Sequence, residues 1–227
     1  MKHQIHGTTF PSLDLILDQG ETVFTESGGM AWMVGNIDMS TNTRGGLMKG
    51  LARSLAGESL FLTSYTCKGS QGMITFTPEA PGAVLPVELG AGEARICQKD
   101  AFMVAQDSVT LEIHFRRKLG AGLFGGEGFI LQKLTGPGLA FVEIAGDVRS
   151  YTLKEGQTMK VDPGHIAMYE PTVGYDITRV KGISNVLFGG EGLFLATLTG
   201  PGRVWLQSMP LSNLAAKLRP YMVTKSS

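Results

Sequence analysis

The chain opens with an alternation of apolar and polar positions that is typical of a β-strand. Leu13, Leu15 and Leu17 are separated by single residues, and a period of two places the three leucines on one face of a strand. The same period returns in the segment MAWMV, which follows a Gly-Gly turn. The pattern predicts N-terminal strands over residues 1–19 and further short strands after them.

Two motifs occur twice at one fixed spacing. LFGGEG occupies residues 123–128 and 187–192, and LTGPG occupies residues 134–138 and 198–202, so both pairs are offset by 64 positions. The 21-residue segments that start at these two LFGGEG motifs share 12 identical positions. Self-similarity at a fixed period predicts a duplicated structural unit.

A weaker third copy precedes the two clear ones. The segment AGESLFL resembles the GGEG theme, and GE at residue 20 aligns with GE at residue 92 at an offset of 72. We therefore predict three all-β units at 20–80, 92–145 and 156–209, followed by a helix and tail at 210–227. Each unit is expected to hold two hairpins, joined by a short helical or irregular connector and a Gly-Gly-Glu turn.

The LTGPG motif predicts a tight turn inside the second hairpin. Proline fixes φ at the first central position of a type II turn, and the following glycine can adopt a positive φ. The flanking apolar segments are then expected to pair with each other. The predicted turn residues of the two clear copies are Gly125, Gly126, Gly128, Gly136, Pro137, Gly138, Gly189, Gly190, Gly192, Gly200, Pro201 and Gly202.

Three segments depart from strand periodicity. Residues 45–55 carry a leucine at every fourth position, which predicts one or two helical turns. Residues 212–218 are predicted to form a helix that Ser212 caps and Pro220 ends. Residues 78–86 contain four turn-forming residues among nine and are predicted to be a linker.

Composition and charge narrow the function classes. Twenty basic and twenty acidic residues give a net charge of +0, which argues against a general electrostatic affinity for nucleic acid or anionic membranes. The sequence has no membrane-spanning apolar run, secretory signal or transit peptide. Together with Cys67 and Cys97, which are expected to be reduced thiols, this favours a cytoplasmic protein.

One set of carboxylates recurs at the equivalent place in every unit. Glu58, Glu127 and Glu191 could gather around a shared axis and bind a cation, or each could accept N–H groups from its own glycine turn. The second interpretation is favoured, because such charged hydrogen bonds stabilise a turn locally. His165, beside a Pro-Gly turn, is the remaining candidate binding residue. No catalytic residue, metal site or cofactor is predicted.

Four segments together resemble one known family. AGESLFL, LFGGEGFILQKLTGPG, VDPGHIAMYE and LFGGEGLFLATLTGPGRVWLQ are similar to the altered inheritance of mitochondria family. The resemblance implies three β-sandwich units with pseudo-threefold symmetry, each like the tryptophan RNA-binding attenuation protein (TRAP). It implies no reaction and no catalytic residues. The fungal member is tied to inner-membrane organisation in mitochondria, but the lack of a transit peptide favours a bacterial protein here.

Three functional hypotheses follow. The favoured one is a non-enzymatic binding or scaffold protein that acts on an unknown protein partner or by self-association. The alternative is a small-ligand or metal-binding β-protein, including an enzyme whose catalytic residues the sequence does not reveal. Nucleic-acid binding through Arg116, Arg117 and Lys118 is disfavoured, because that short basic run stands in a chain without surplus charge.

Overall fold

The structure is a computed structural model that describes residues 1–26, 29–42, 62–117, 128–179, 194–218 and 221. Within these residues the fold is all-β, with nineteen strands and one α-helix. The strands of the first ninety residues are β1 Lys2–His6, β2 Ser12–Asp18, β3 Thr22–Glu26, β4 Met30–Val34, β5 Ile37–Asn42, β6 Leu62–Cys67, β7 Gln71–Phe76 and β8 Gly82–Leu89.

The remaining elements continue in the same style of short strands. The next six strands are β9 Ala94–Gln98, β10 Phe102–Gln106, β11 Thr110–Arg117, β12 Phe129–Thr135, β13 Gly138–Ala145 and β14 Val148–Leu153. The last elements are β15 Thr158–Val161, β16 Ile166–Tyr169, β17 Gly174–Arg179, β18 Phe194–Thr199, β19 Gly202–Gln207 and the helix α1 Leu211–Leu218. Single 3-10 turns at Lys99–Ala101 and Pro163–His165 lead into β10 and β16.

The strands form four antiparallel sheets, named A to D. Sheet A has the order β1-β2-β7-β4, and sheet D has the order β15-β18-β17. Sheet B has the order β5-β6-β3-β10-β13-β8, and sheet C has the order β11-β12-β9-β16-β19-β14. Sheets B and C therefore each combine strands from two distant parts of the sequence.

Three apolar cores lie between successive sheets. The first joins Leu15 of sheet A to Tyr65 of sheet B, the second joins residues of sheets B and C, and the third joins Leu131 of sheet C to Leu198 of sheet D. Burial of each large aliphatic side chain contributes about 1.5–3 kcal/mol to the free energy of folding. The sheets are thus layered in the order A, B, C, D.

The strand and helix predictions at the two ends of the chain are confirmed. Leu13, Leu15 and Leu17 are fully buried on one face of β2. The C-terminal helix is present, but the N–H groups of Asn213 and Leu214 donate to the carbonyl of Pro210. Ser212 therefore lies inside the helix, and its predicted capping role is wrong. The predicted turns of 45–55 and the helix end at Pro220 lie outside the described residues. No helix in the described part of the chain is long and apolar enough to cross a membrane.

The predicted linker at 78–86 is wrong, because β8 occupies most of it. Pro86 lies opposite Phe141 in the ladder between β8 and β13. Proline lacks an N–H group and is accepted in a sheet mainly at its edge. Since β8 is an edge strand of sheet B, Pro86 does not prevent the strand from forming.

The predicted hairpins around LTGPG are also wrong. β12 lies in sheet C and β13 in sheet B, while β18 lies in sheet D and β19 in sheet C. The motif carries the chain from one sheet to the next. The peptide bonds before Pro137 and Pro201 are cis, whereas a type II turn has a trans proline at its first central position. β3 and β4 likewise do not pair with each other, since β3 lies in sheet B and β4 in sheet A.

Candidate functional site

His165 is held in place by hydrogen bonds on both ring nitrogens. Its Nδ1 lies 2.8 Å from the carbonyl oxygen of Gln207, so Nδ1 carries the proton and donates. Its Nε2 lies 3.3 Å from Nδ2 of Asn213 and accepts. The ring therefore ties the 3-10 turn to β19 and α1.

A small open cleft lies beside this histidine. The ends of β9, β13 and β19 and the start of α1 meet there, and the 3-10 turn after β9 contributes Asp100. The polar residues that line the cleft are Glu79, Gln98, Asp100, Glu143, Gln207 and Ser212.

Glu143 is the residue of the cleft whose protonation is most strongly altered. Burial raises the pKa of its carboxyl group to about 8, the backbone N–H of Glu79 opposes the rise, and the negative charges of Glu79 and Asp100 add to it. The Glu79 N–H lies 3.4 Å from Oε1 of Glu143. The Glu143 side chain is therefore largely protonated at neutral pH and can donate a hydrogen bond.

Two buried glutamines form the floor of the cleft. The Gln207 amide donates to the carbonyl of Gly164 at 2.8 Å and to Oε1 of Gln98 at 3.3 Å. Its own Oε1 accepts the N–H of Ala145 at 3.0 Å. These bonds orient both amides, so the floor of the cleft is polar and fixed in shape.

The cleft can bind a small polar or cationic group through hydrogen bonds. Asp100 and Glu79 offer carboxylate oxygens, and protonated Glu143 offers a donor as well as an acceptor. The described residues contain no group of three or more His, Cys, Asp or Glu side chains that could hold a metal ion.

The three repeated glutamates lie outside the described residues. Glu58, Glu127 and Glu191 therefore remain predicted binding residues, and the same holds for the role of several predicted turn glycines. Those glycines are Gly125, Gly126, Gly189, Gly190 and Gly192.

Side-chain oxygens that accept a backbone N–H within their own glycine turn do exist, at other positions of the chain. Glu21 accepts the N–H of Asp18 at 2.9 Å, and Glu93 accepts the N–H of Gly90 at 3.0 Å. Gln157 accepts the N–H of Lys154 at 3.0 Å. For Glu93, the bond from Gly90 and then the Arg95 guanidinium lower the carboxyl pKa.

The cleft residues escaped the sequence prediction although a signal for them existed. Glu143 and Gln207 are 64 positions apart; Glu143 interrupts the apolar segment FVEIA, and Gln207 ends the apolar segment VWLQ. Glu26 and Gln98 are 72 positions apart in the same way. Polar residues at equivalent places in otherwise apolar strands could have identified the cleft.

Arg117 of the basic run is bonded within the fold, and the two cysteines are buried in it. Nη1 of Arg117 donates to the carbonyl of Ile177 at 2.6 Å and so links β11 to β17, while Lys118 lies outside the described residues. Cys67 and Cys97 are free and buried. Burial raises the pKa of the Cys97 thiol to about 12, which makes it a poor nucleophile.

Comparison with known proteins finds relatives along almost the whole chain. The uncharacterized protein M6_Spy0233 of Streptococcus pyogenes serotype M6 is 30% identical over 226 residues, which cover 96% of this chain and 89% of the relative. The crystal structure of SPYM3_0169 from Streptococcus pyogenes superposes with a TM-score of 0.79 at 26% identity, covering 97% of this chain and 99% of that one. The family model for mitochondrial biogenesis AIM24 matches residues 3–209, and the chain therefore belongs to the AIM24 family.

Proposed function

We propose that this AIM24-family protein is a non-enzymatic binding or scaffold protein built from three similar β-units. The units are those expected from the sequence, at 20–80, 92–145 and 156–209. The protein acts through its sheets and turns on a protein partner or on further copies of itself. A cytoplasmic location remains a prediction, which the two free thiols favour.

The observation that carries the proposal is the recurrence of the same elements at the offsets seen in the sequence. β9, β10 and β13 begin at residues 94, 102 and 138, and β15, β16 and β19 begin 64 positions later. The three strands β4, β10 and β16 also share a register shift at equivalent positions, at Met30/Trp32, Phe102/Val104 and Ile166/Met168. A shared irregularity of this kind supports descent from one repeated unit.

The order of strands supports a TRAP-like relation between the units. Each unit supplies three strands to one sheet and two to the neighbouring sheet, where the strand just before the unit (β2, β8 or β14) is added, and its own core lies between those two sheets. Within the chain this sharing of a sheet occurs twice, between the first and second units and between the second and third units. The pseudo-threefold symmetry remains a prediction, because the third step would pair β15 with β4, and these strands belong to sheets D and A.

A scaffold role fits the use that the fold makes of its polar side chains. His165, Glu93 and Gln157 each bond to the backbone of a nearby turn or strand. Such groups stabilise the fold, because each bond satisfies a backbone group of its own turn or strand. In the described part of the chain, neither cysteine is accessible and His165 has no free ring nitrogen to act as a base.

Native mass spectrometry of the protein purified from its own host tests the proposal. If the protein is a scaffold, the spectrum is expected to show free chains or protein complexes. Their masses should equal the summed masses of the polypeptide chains, with nothing else bound. A stoichiometric metal ion or small molecule on the wild-type protein would contradict a purely structural role, as would turnover of a small substrate by the purified protein.

The cleft at Glu143 supports a second candidate function, the binding of a small polar or cationic ligand. Its protonated carboxyl and oriented glutamines are features of a binding site. If this function is correct, the wild-type protein retains a ligand that is lost in Glu143→Ala and kept in Glu88→Ala, which alters an exposed carboxylate of β8. Retention by both variants would instead direct attention to the predicted residues Glu58, Glu127, Glu191 and His165.

A further inference from the structure

Sheets B and C contain the same kind of seam. In sheet B, β3 of the first unit pairs with β10 of the second, and in sheet C, β9 of the second unit pairs with β16 of the third. β3 and β9 begin 72 positions apart, at Thr22 and Ala94, and β10 and β16 begin 64 positions apart. Each seam therefore joins equivalent strands of consecutive units.

The same two kinds of strand occur once more, at the two ends of the layered fold. β4, equivalent to β10 and β16, is the edge strand of sheet A, and β15, equivalent to β3 and β9, is the edge strand of sheet D. Among the described residues, neither has a neighbour on its outer side. A sheet edge of this kind presents unpaired N–H and C=O groups that can pair with another chain.

Burial separates β4 sharply from its equivalents. Val104 in β10 is 0% exposed and Met168 in β16 is 2% exposed, but the equivalent Trp32 in β4 is 50% exposed. The neighbouring Val34 is 62% exposed. A tryptophan and a valine side by side on an open strand form the apolar patch that a missing neighbour would cover.

We propose that β4 of one chain pairs with β15 of a second copy, and that sheet D of the second copy and sheet A of the first become one continuous sheet. The two internal seams fix the register. In them, Ala105 lies opposite Phe24 and Tyr169 lies opposite Ile96, and the equivalent pair at the new seam is Met33 opposite Lys160.

The neighbouring pairs at this seam are apolar. The pair Met168–Cys97 in sheet C corresponds to Trp32 opposite Val161 at the new seam, which is next to the pair of Met33 and Lys160. The pairing of Gln106 with Val23 translates into Val34 opposite the half-buried Met159. Pairs of this kind stabilise a sheet by about 0.2–1 kcal/mol each.

Lys160 makes the β15 edge selective. Two β15 strands paired with each other would bring two lysine side chains together, which is unfavourable, whereas β4 presents only apolar side chains. Because the two paired surfaces differ, the assembly is head-to-tail and gives either a closed ring or a linear array. The inference rests on the repeated units of the proposed function and deepens its self-association, and failure of the contact between β4 and β15 would leave the proposed binding of another protein partner untouched.

The oligomeric state in solution is the first test. Size-exclusion chromatography with light scattering is expected to give whole multiples of the 24.3 kDa chain for the wild type, and a folded single chain for Val34→Lys. Met39→Lys on β5, where Met39 is 58% exposed, is the matched control and is expected to keep the wild-type mass. A single-chain wild type, or equal behaviour of the two variants, would overturn the proposal.

Cysteine pairing tests the register and the identity of the partner. Met33→Cys protein mixed with Lys160→Cys protein is expected to form a disulfide-linked dimer on oxidation, and Met39→Cys mixed with Lys160→Cys is expected to form none. A variant with both Met33→Cys and Lys160→Cys is expected to give a ladder of linked chains. An internally linked single chain instead would mean that β15 closes onto β4 of its own chain and would disprove the contact between copies.

Discussion

β4 and β10 occupy the same place in two consecutive units of the proposed repeat, yet their surroundings differ completely. β10 is central in sheet B, and Phe102, Met103, Val104 and Ala105 are all buried between two cores. β4 has the comparably apolar sequence MAWMV, but it is an edge strand and largely exposed. The contrast teaches that the burial of a strand in this fold is decided by the unit next to it, and that its own sequence only permits that burial.

The largest expected effect comes from placing a charge on each member of the comparison. Val104→Asp buries an unpaired carboxylate where two cores meet, and we expect it to prevent folding or to destabilise the protein by more than about 3 kcal/mol. Trp32→Asp at the equivalent position should leave the chain folded. Thermal unfolding followed by circular dichroism measures both, and equal destabilisation would show that β4 is buried like β10.

The connection that carries the chain between sheets gives the next effect. A Cβ atom added at Gly136 would lie 2.5 Å from the carbonyl oxygen of Gly90 and 2.6 Å from Cβ of Leu89. Because backbone atoms cannot move away cheaply, Gly136→Ala is expected to lower the free energy of unfolding by about 1–3 kcal/mol. Gly174→Ala is the control, since its nearest neighbour would lie at 3.6 Å. Chemical denaturation should separate the two variants clearly.

Glu143 and Gln207, which are 64 positions apart, extend the comparison to the second and third of the proposed units. The carboxyl pKa is 4.5 ordinarily and about 8 in the fold, so between these pH values the folded state holds a proton that the unfolded state has lost. Stability contributed by this group is present at low pH and declines as pH rises from 4.5 to 8.

Glu143→Gln introduces at position 143 the residue type found at the equivalent position 207. It should remove the decline in stability with rising pH. Its melting temperature at pH 8 is expected to exceed that of the wild type, with a smaller difference at pH 5. Glu88→Gln, which changes an exposed carboxylate, is expected to follow the wild-type profile. A Glu143→Gln profile parallel to the wild type would mean that Glu143 ionises normally in the fold.

The smallest effect concerns one hydrogen bond across the seam of sheet B. Oγ1 of Thr25 donates to the carbonyl of Met103 at 2.5 Å, and this bond links β3 to β10. Thr25→Val keeps the shape and removes the donor, so we expect a loss of about 1 kcal/mol in urea unfolding. The substitution also reproduces β15, where Val161 holds the equivalent place. A neutral result would show that strand pairing alone holds the seam.

Structural features that depend on residues close together in the sequence could be predicted. The period-two leucines of β2, the all-β class and the C-terminal helix were predictable, because side chains close in sequence decide them. The sheet assignments were not, since Phe24 pairs with Ala105, some eighty positions later. The hairpins predicted around LTGPG require the two strands that flank the motif to pair with each other, and these strands lie in different sheets. Glu143 was missed because its raised carboxyl pKa arises first from burial and then from the charges of Glu79 and Asp100, and only the fold creates these surroundings.

The composite build of sheet B has a consequence for how the protein is made. During synthesis β3, which ends at Glu26, has no partner on one side until the segment that starts at Phe102 has left the ribosome. The nascent chain must hold an open sheet edge through that interval, and sheets assembled from distant segments form slowly. The N-terminal unit is therefore the part of the chain most exposed to misassociation between neighbouring nascent chains, and the point where a chaperone would act most effectively.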